Sequence, residues 1–176
     1  MNDTSSPQVW YETLRDKSHV LIRHIRPQDR QAERDFIEQL SSQAKHYRFL
    51  GGVCHPSEAL LSQLTVLDPA RAAALVAIEA GDDGDGSLLG VARYGADAEG
   101  ARCELAVTVA DAWQQKGLAT VLLQHLIDIA RAAGMKALYS VDFADNTAMH
   151  DLVRPLGFTT RPDPDEASQV IHERLL

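Results

Sequence analysis

VTVADAWQQKGLATVLLQHLIDIARAAG, residues 107–134, joins the end of a strand to the start of a helix. Leu105 to Val109 form an apolar, strand-like run. From Leu118 onward, Leu118, Val121, Leu122, Leu126 and Ile129 recur at threes and fours, and Gly134 supplies the stop. That spacing predicts a strongly amphipathic helix. Between strand and helix lies Gln115-Lys116-Gly117, with no Ser, Thr or Asp where a capping side chain normally stands. The first amides of the helix therefore lack an obvious partner. A strand, a glycine turn and an uncapped helix start form a receptive site for an anion, because the N–H groups point outward and the helix dipole places about half a positive charge there. Gly117 and Ala119 are small enough for close backbone approach, Lys116 adds a cation, and Thr120 offers a hydroxyl one turn in. The alternative is an ordinary helix start with no ligand.

The rest of the chain reads as one α/β domain of 176 residues, 45% of them hydrophobic. Residues 1–18 are polar and read as a loose arm or short leading helix, with the domain over 19–176. HVLIRHIRP (19–27), RAAALVAIEA (71–80), GSLLGVARYGA (86–96), ARCELAVTVAD (101–111) and KALYSVDFA (136–144) read as strands, and GFTTRP with SQVIHERLL completes the sheet. QDRQAERDFIEQLSSQA reads as one helix broken by KHYRFLGG, and PSEALLSQLTVLDP as a second with Ser57 as its N-cap. DNTAMHDLVRPLG is a short fourth helix. The order β-α-α-β-β-β-α-β-α-β-β contains one strand–helix–strand crossover, which carries the opening stretch.

Several function classes are disfavoured. Lys and Arg total 17 against 25 Asp and Glu, a formal net charge of -8. That argues against a nucleic-acid binder held by phosphate contacts and weakly favours cationic partners. No apolar run approaches the roughly 20 residues needed to span a bilayer, and MNDTSSPQVW lacks a secretory pattern, so a cytoplasmic protein is expected. Cys54 and Cys103 read as ordinary reduced thiols. His46, His55, His125 and His150 show no metal spacing. The acidic turn GDDGDG (81–86) lacks the glutamate of a calcium loop and reads as a solvated hairpin turn. Neither a Walker-type nucleotide loop nor a dinucleotide fingerprint occurs.

Gln114-Gln115-Lys116-Gly117-Leu118-Ala119 resembles the Gln/Arg-x-x-Gly-x-Gly/Ala motif of the GNAT acyltransferase superfamily, and DNTAMHDLVRPLGF (145–158) resembles the segment that follows it there. The similarity runs over residues 19–176. More narrowly, IRHIRPQDRQAERDFIEQLSSQAKHYRFL (22–50) and CELAVTVADAWQQKGLAT (103–120) are similar to the acetyltransferase domain of bacterial Pat-type protein lysine acetyltransferases. Those often carry a further regulatory or ligase-like domain, and this chain is too short for one. The resemblance implies a GNAT fold with a mixed sheet of about six to seven strands, about four helices and a splayed strand pair forming the acyl-CoA cleft.

The same resemblance implies acetyl-CoA as co-substrate and no metal. Gln114, Gln115, Lys116, Gly117, Leu118, Ala119 and Thr120 would cradle the pyrophosphate. Val107, Thr108 and Val109 would act through their backbone toward the pantetheine arm and the oxyanion, and Asn146 would reach the arm. Asn146 can equally serve as an N-cap. Glu104 matches the family's general base. An alkylamine of pKa about 10.4 must lose a proton before it can attack a thioester, and partial burial between Cys103 and Leu105 would tune the carboxylate for this. The competing role for Glu104 is a cross-strand ion pair with Arg93 or Arg102. Many GNAT enzymes place a Tyr where this chain has Val153, which cannot protonate the leaving thiolate. Tyr139 lies on the next strand, and HYRFL (46–50) falls where the family builds its acceptor wall. The implied acceptor is a protein lysine, with a small-molecule amine as runner-up. A coenzyme A-binding sensor without turnover and a purely structural domain are the rival classes. Monomer and homodimer both remain open, with no nucleic-acid or membrane partner expected.

Overall fold

The computed structural model describes residues 8–50, 55–81 and 86–176. Its strands are β1 (Val9–Thr13), β2 (His19–His24), β3 (Ala72–Glu79), β4 (Gly90–Ala96), β5 (Arg102–Val109), β6 (Ala137–Phe143), β7 (Thr159–Pro162) and β8 (Gln169–Leu175). Its helices are α1 (Arg30–Gln39), α2 (Ser42–Arg48), α3 (Glu58–Thr65), α4 (Leu118–Ala132) and α5 (Thr147–Val153). The eight strands form one open sheet in the order β1-β2-β3-β4-β5-β6-β8-β7. Every neighbouring pair is antiparallel except β5 and β6, which run parallel. A parallel neighbour needs a long crossover, and α4 supplies it.

Two apolar layers enclose the sheet. On one face, α4 buries Leu118, Leu122, Leu123, Leu126, Ile127 and Ala130 against Leu75, Ala92, Leu105 and Leu138. Each fully buried leucine contributes about 1.5–3 kcal/mol, so this face anchors the helix start at a fixed place on the sheet. The helix crosses β4 closely at Gly90, where an added Cβ would meet Leu122 Cδ1 at 3.0 Å. On the other face, Phe36, Ile37 and Leu40 with Leu61 and Leu64 cover Leu21, Val76, Ile78 and Val91.

The structure departs from the sequence reading in three places. Residues 9–13, expected as part of an arm or short helix, form β1 and pair with β2 in the register Val9↔Arg23 to Thr13↔His19. This raises the strand count to eight. The alternation was disguised because the inward positions are Trp10 and Glu12. Trp10 stacks on His125 at 4.6 Å, and Glu12 bonds the same ring at 2.7 Å. The first predicted helix is two helices: the backbone turns extended at Leu40, and the Ser41 side chain caps α2 by accepting from Ala44 N–H. KHYR, expected as a break, is therefore the end of α2. The turn residues 82–85, on which the calcium alternative rested, and Cys54 lie outside the described residues.

Candidate active site

β5 and β6 pair only at Arg102↔Ala137, Cys103↔Leu138 and Glu104↔Tyr139. β5 continues to Val109 and β6 to Phe143, so the two strands part immediately after Glu104. The parted stretch of β5 spans about 17 Å from Glu104 to Val109 at 3.3–3.4 Å per residue. Backbone polarity along it follows the strand's two-residue period. Ala110 N–H donates to Leu89 and Arg102 C=O accepts from Asp97, so even-numbered residues turn their backbone groups toward β4. Ala101 C=O accepts from Lys136 on the opposite side. Leu105, Val107 and Val109 therefore direct their N–H and C=O groups into the gap. Thr108 does not, which corrects the expectation that its backbone would serve the cleft. Its side chain lies instead under α1 and α2, with its hydroxyl buried and without a hydrogen-bond partner among the described residues.

At the far end of β5 the chain makes a short helical turn over Asp111–Trp113 and enters the loop Gln114–Gly117. Gln115 takes φ 61° and Gly117 takes φ 91°, both left-handed. A non-glycine residue rarely adopts this conformation, so the loop is held in an unusual shape immediately before α4. Gly117 is the N-cap of α4 and supplies no side chain, and the helix has no acidic residue in its first turn. Among the described residues the amides of Leu118, Ala119 and Thr120 have no capping side chain, as the sequence led us to expect. Gln114 Nε2 reaches back to Val109 O at 3.4 Å, and Asp111 accepts from Ser41 N–H at 2.9 Å, tying the loop to the start of α2. Lys116 lies over the Trp113 ring at 4.4 Å and pairs with Asp16 at 2.9 Å.

Glu104 is exposed, which corrects the expectation of partial burial, while its neighbours Cys103 and Leu105 are buried. Neither arginine proposed as its ion-pair partner takes that role. Arg93 donates to Glu33 at 2.7 Å and to Leu64 O at 2.9 Å, and Arg102 pairs with Glu173. Among the described residues Glu104 has no ion pair and no hydrogen bond, which leaves its carboxylate available at the mouth of the gap. Its register partner Tyr139 presents a phenol on the same face, its pKa raised by burial and by the Glu104 charge. Farther along that face of β6, Phe143 stacks on His46 at 4.6 Å and lies 6.4 Å from Tyr47. α2 therefore forms a wall over the parted strands, with Phe49 packed against the apolar layer beneath it.

Behind that wall sits a polar cluster that the sequence reading missed. Glu33, 3% exposed, pairs with Arg93, and Arg48 lies beside both, its pKa pushed down to about 10 by burial and by Arg93. Burial holds the Glu33 pKa above its ordinary value against the pull of the two arginines. A signal existed: Glu33 stands three and four residues before Phe36 and Ile37, on the apolar stripe of α1, where a lone carboxylate needs a buried partner.

Asn146 is the N-cap of α5, its Oδ1 accepting from Met149 N–H at 3.3 Å. The capping alternative is what the structure shows, and only the side-chain NH2 remains for another task. Val153 is fully buried in the core and offers nothing to the cleft. Among the described residues no group of three His, Cys, Asp or Glu could hold a metal, and no helix is long and apolar enough to cross a membrane.

A parallel strand pair thus parts beside an uncapped helix start in an otherwise antiparallel sheet, and the comparisons identify the fold. The model of the acetyltransferase (GNAT) family matches residues 33–158. Acetyltransferase PA5475 of Pseudomonas aeruginosa is 48% identical over 95% of this chain and 89% of its own length. The crystal structure of the GNAT domain of S. lividans PAT superposes with TM-score 0.86 at 26% identity, covering 96% of this chain and 97% of that one. The yncA protein of Salmonella typhimurium, solved with its cofactor acetyl-CoA, shares the fold at TM-score 0.72 and 22% identity over 89% and 94% of the two chains. The chain belongs to the GNAT acetyltransferase family.

Proposed function

We propose that this acetyltransferase uses acetyl-CoA to acetylate a primary amine, with a protein lysine as the acceptor and Glu104 as the general base. The observation that carries the reading is an exposed, unpaired carboxylate on β5 where β5 and β6 begin to part, with an uncapped α4 at the other end of the same strand. The diphosphate of the cofactor lies on the Gln114–Thr120 loop, held by the amides of Leu118, Ala119 and Thr120. The pantetheine arm lies along the gap and bonds the open backbone groups of Val107 and the N–H of Val109. This brings the thioester toward Glu104.

The chemistry then follows from charge. At pH 7.4 only about one lysine amine in a thousand is neutral. Glu104 accepts the ammonium proton, directly or through one water, and the freed nitrogen attacks the thioester carbonyl carbon. The new C–N bond leaves negative charge on the carbonyl oxygen, which a strand N–H facing the gap stabilises. Collapse breaks the C–S bond. The thiolate departs, and the nitrogen gives up its second proton to water, leaving an amide. Coenzyme A is a tolerable leaving group unaided, since thiols ionise near pH 8.5.

Support for a protein acceptor is the exposure of Glu104 together with the Pat-type resemblance. A long lysine side chain on a folded surface can reach an open carboxylate, and the net charge of -8 draws cationic surfaces. The test is acetyl transfer from radiolabelled acetyl-CoA, comparing folded protein acceptors with polyamines, amino acids and aminoglycosides. Transfer to folded protein with none to the small amines supports the reading. Transfer confined to small amines replaces the lysine with a small acceptor. Cofactor binding without transfer to any amine would leave a sensor.

A further inference from the structure

The turn between β1 and β2, residues 14–18, lies outside the stretch matched by the family model, yet it packs on the loop before α4. Arg15 N–H donates to Lys116 C=O at 3.0 Å, and Asp16 pairs with the Lys116 ammonium at 2.9 Å. The turn is itself fastened. Leu14 is buried and its N–H donates to Ser18 C=O at 2.9 Å, while Asp16 accepts from Ser18 N–H at 3.1 Å. The Arg15 side chain lies flat on Gly117: a Cβ built there would meet its Nε at 3.3 Å, its Cγ at 3.4 Å and its Cδ at 3.5 Å.

This placement is electrostatically unbalanced. Arg15 makes no ion pair or hydrogen bond through its guanidinium among the described residues. It sits at the positive end of a 15-residue helix whose N-cap has no side chain and whose first turn has no acid. Lys116 is adjacent, and Asp16 is the carboxylate that offsets it. Two cations and the helix end against one carboxylate leave roughly one and a half positive charges on a patch a few ångströms across. A diphosphate diester carries two negative charges. Arginine, with planar paired donors, matches such oxygens better than a point charge does.

We propose that Arg15 is a ligand of the coenzyme A diphosphate, delivered by the β1–β2 turn as a second wall facing the amides of α4. On binding, Lys116 exchanges Asp16 for a phosphate oxygen, and the carboxylate of Asp16 opposes the ligand. The proposal rests on the reading that this loop holds coenzyme A, and it explains why β1 is built onto the sheet: the strand holds the turn in place.

The test is calorimetric titration with coenzyme A and with 3′-dephospho-coenzyme A for the wild type, Arg15→Ala, Arg15→Lys, Asp16→Asn and Lys17→Ala. Loss of a charge-assisted hydrogen bond predicts that Arg15→Ala weakens both ligands by the same factor, about 10- to 100-fold. Arg15→Lys recovers part of that loss, Asp16→Asn binds more tightly, and Lys17→Ala, one charge fewer on the same exposed turn, leaves both affinities unchanged. Arg15 is exposed, so thermal denaturation should show an unaltered fold. An unchanged affinity in Arg15→Ala overturns the assignment while leaving the cradle intact. A loss seen with coenzyme A but not with the dephospho form moves Arg15 to the 3′-phosphate and also overturns it. Equal losses in Lys17→Ala would show only a general effect of charge. Failure of the wild type to bind coenzyme A removes the cradle reading itself.

Discussion

Replacing Glu104 by Gln removes one charge and keeps the side chain's size, at a position where the structure gives a specific expectation for stability as well as rate. The carboxylate is exposed and has neither ion pair nor hydrogen bond among the described residues. A surface change of this kind stays within about 0.5 kcal/mol. For a chain of this length that is a melting shift of at most about 2 °C. Acetyl-CoA affinity should also hold, because Glu104 lies five residues from Val109 and the cradle lies beyond it. The rate should not hold. Loss of a positioned base lowers turnover about 10²- to 10⁴-fold, which is roughly 2.7–5.4 kcal/mol of transition-state stabilisation. The assay is initial-rate acetylation with saturating acetyl-CoA between pH 7 and 9, beside calorimetric binding and thermal melting. Without the base, only the neutral amine reacts, so the residual rate of the variant should rise about tenfold per pH unit below the amine pKa. The wild-type profile should be flatter. A Gln variant that retains the wild-type rate would refute the reasoning and place proton removal elsewhere, with Glu33 behind the α2 wall the next carboxylate to examine.

Other outcomes follow from groups away from the chemistry. Asp29→Ala deprives the buried Arg23 guanidinium of two hydrogen bonds, at 2.7 and 2.8 Å, and leaves Arg26 N–H without its 2.7 Å acceptor. Breaking a buried ion pair costs about 3–5 kcal/mol, so calorimetry should show a melting point lower by on the order of 10 °C. A change of under about 2 °C would contradict the burial argument. His172 is 1% exposed, bonds Thr160 through Nδ1 at 2.8 Å, and has its pKa lowered by burial. Below about pH 6.5 the unfolded imidazole takes up a proton that the folded one refuses. The His172 contribution is therefore flat above that pH and falls as the solution is acidified. Urea midpoints at pH 7.5 and 5.5 should draw closer together in His172→Gln than in the wild type. An equal fall in both would mean that other groups carry the acid dependence.

Much of the fold can be read without coordinates because its signals are local. The threes-and-fours stripe of α4, the apolar run of β2 and the Ser57 cap of α3 each depend on residues within a turn or two of one another, and each stands in the structure. β1 was not legible, since its inward residues, Trp10 and Glu12, earn their places from α4: His125 receives both. The break between α1 and α2 was hidden for a related reason. Leu40 and Ser41 are compatible with helix, and the choice of an extended turn there is supported by Asp111, 70 residues away, which accepts the Ser41 N–H.

The candidate site divides the same way. A glycine turn and an uncapped helix start are properties of a few consecutive residues, so the bare start of α4 was visible in the order of residues 114–120 alone. The freedom of Glu104 was not. It depends on Arg93 choosing Glu33 and Arg102 choosing Glu173, partners 60 and 71 residues distant. Which of Val107, Thr108 and Val109 turns its backbone to the gap likewise depends on the register with β4 and on the point where β6 leaves. Arg15 stands against Gly117 only because β1 pairs with β2 and carries the turn there. Residue order alone determined most of the elements and the uncapped start of α4, through near-neighbour periodicity and capping. Tertiary structure decided which charges are paired and which are left to act, because ion pairs and strand registers are settled by contacts between distant segments that compete for the same partners.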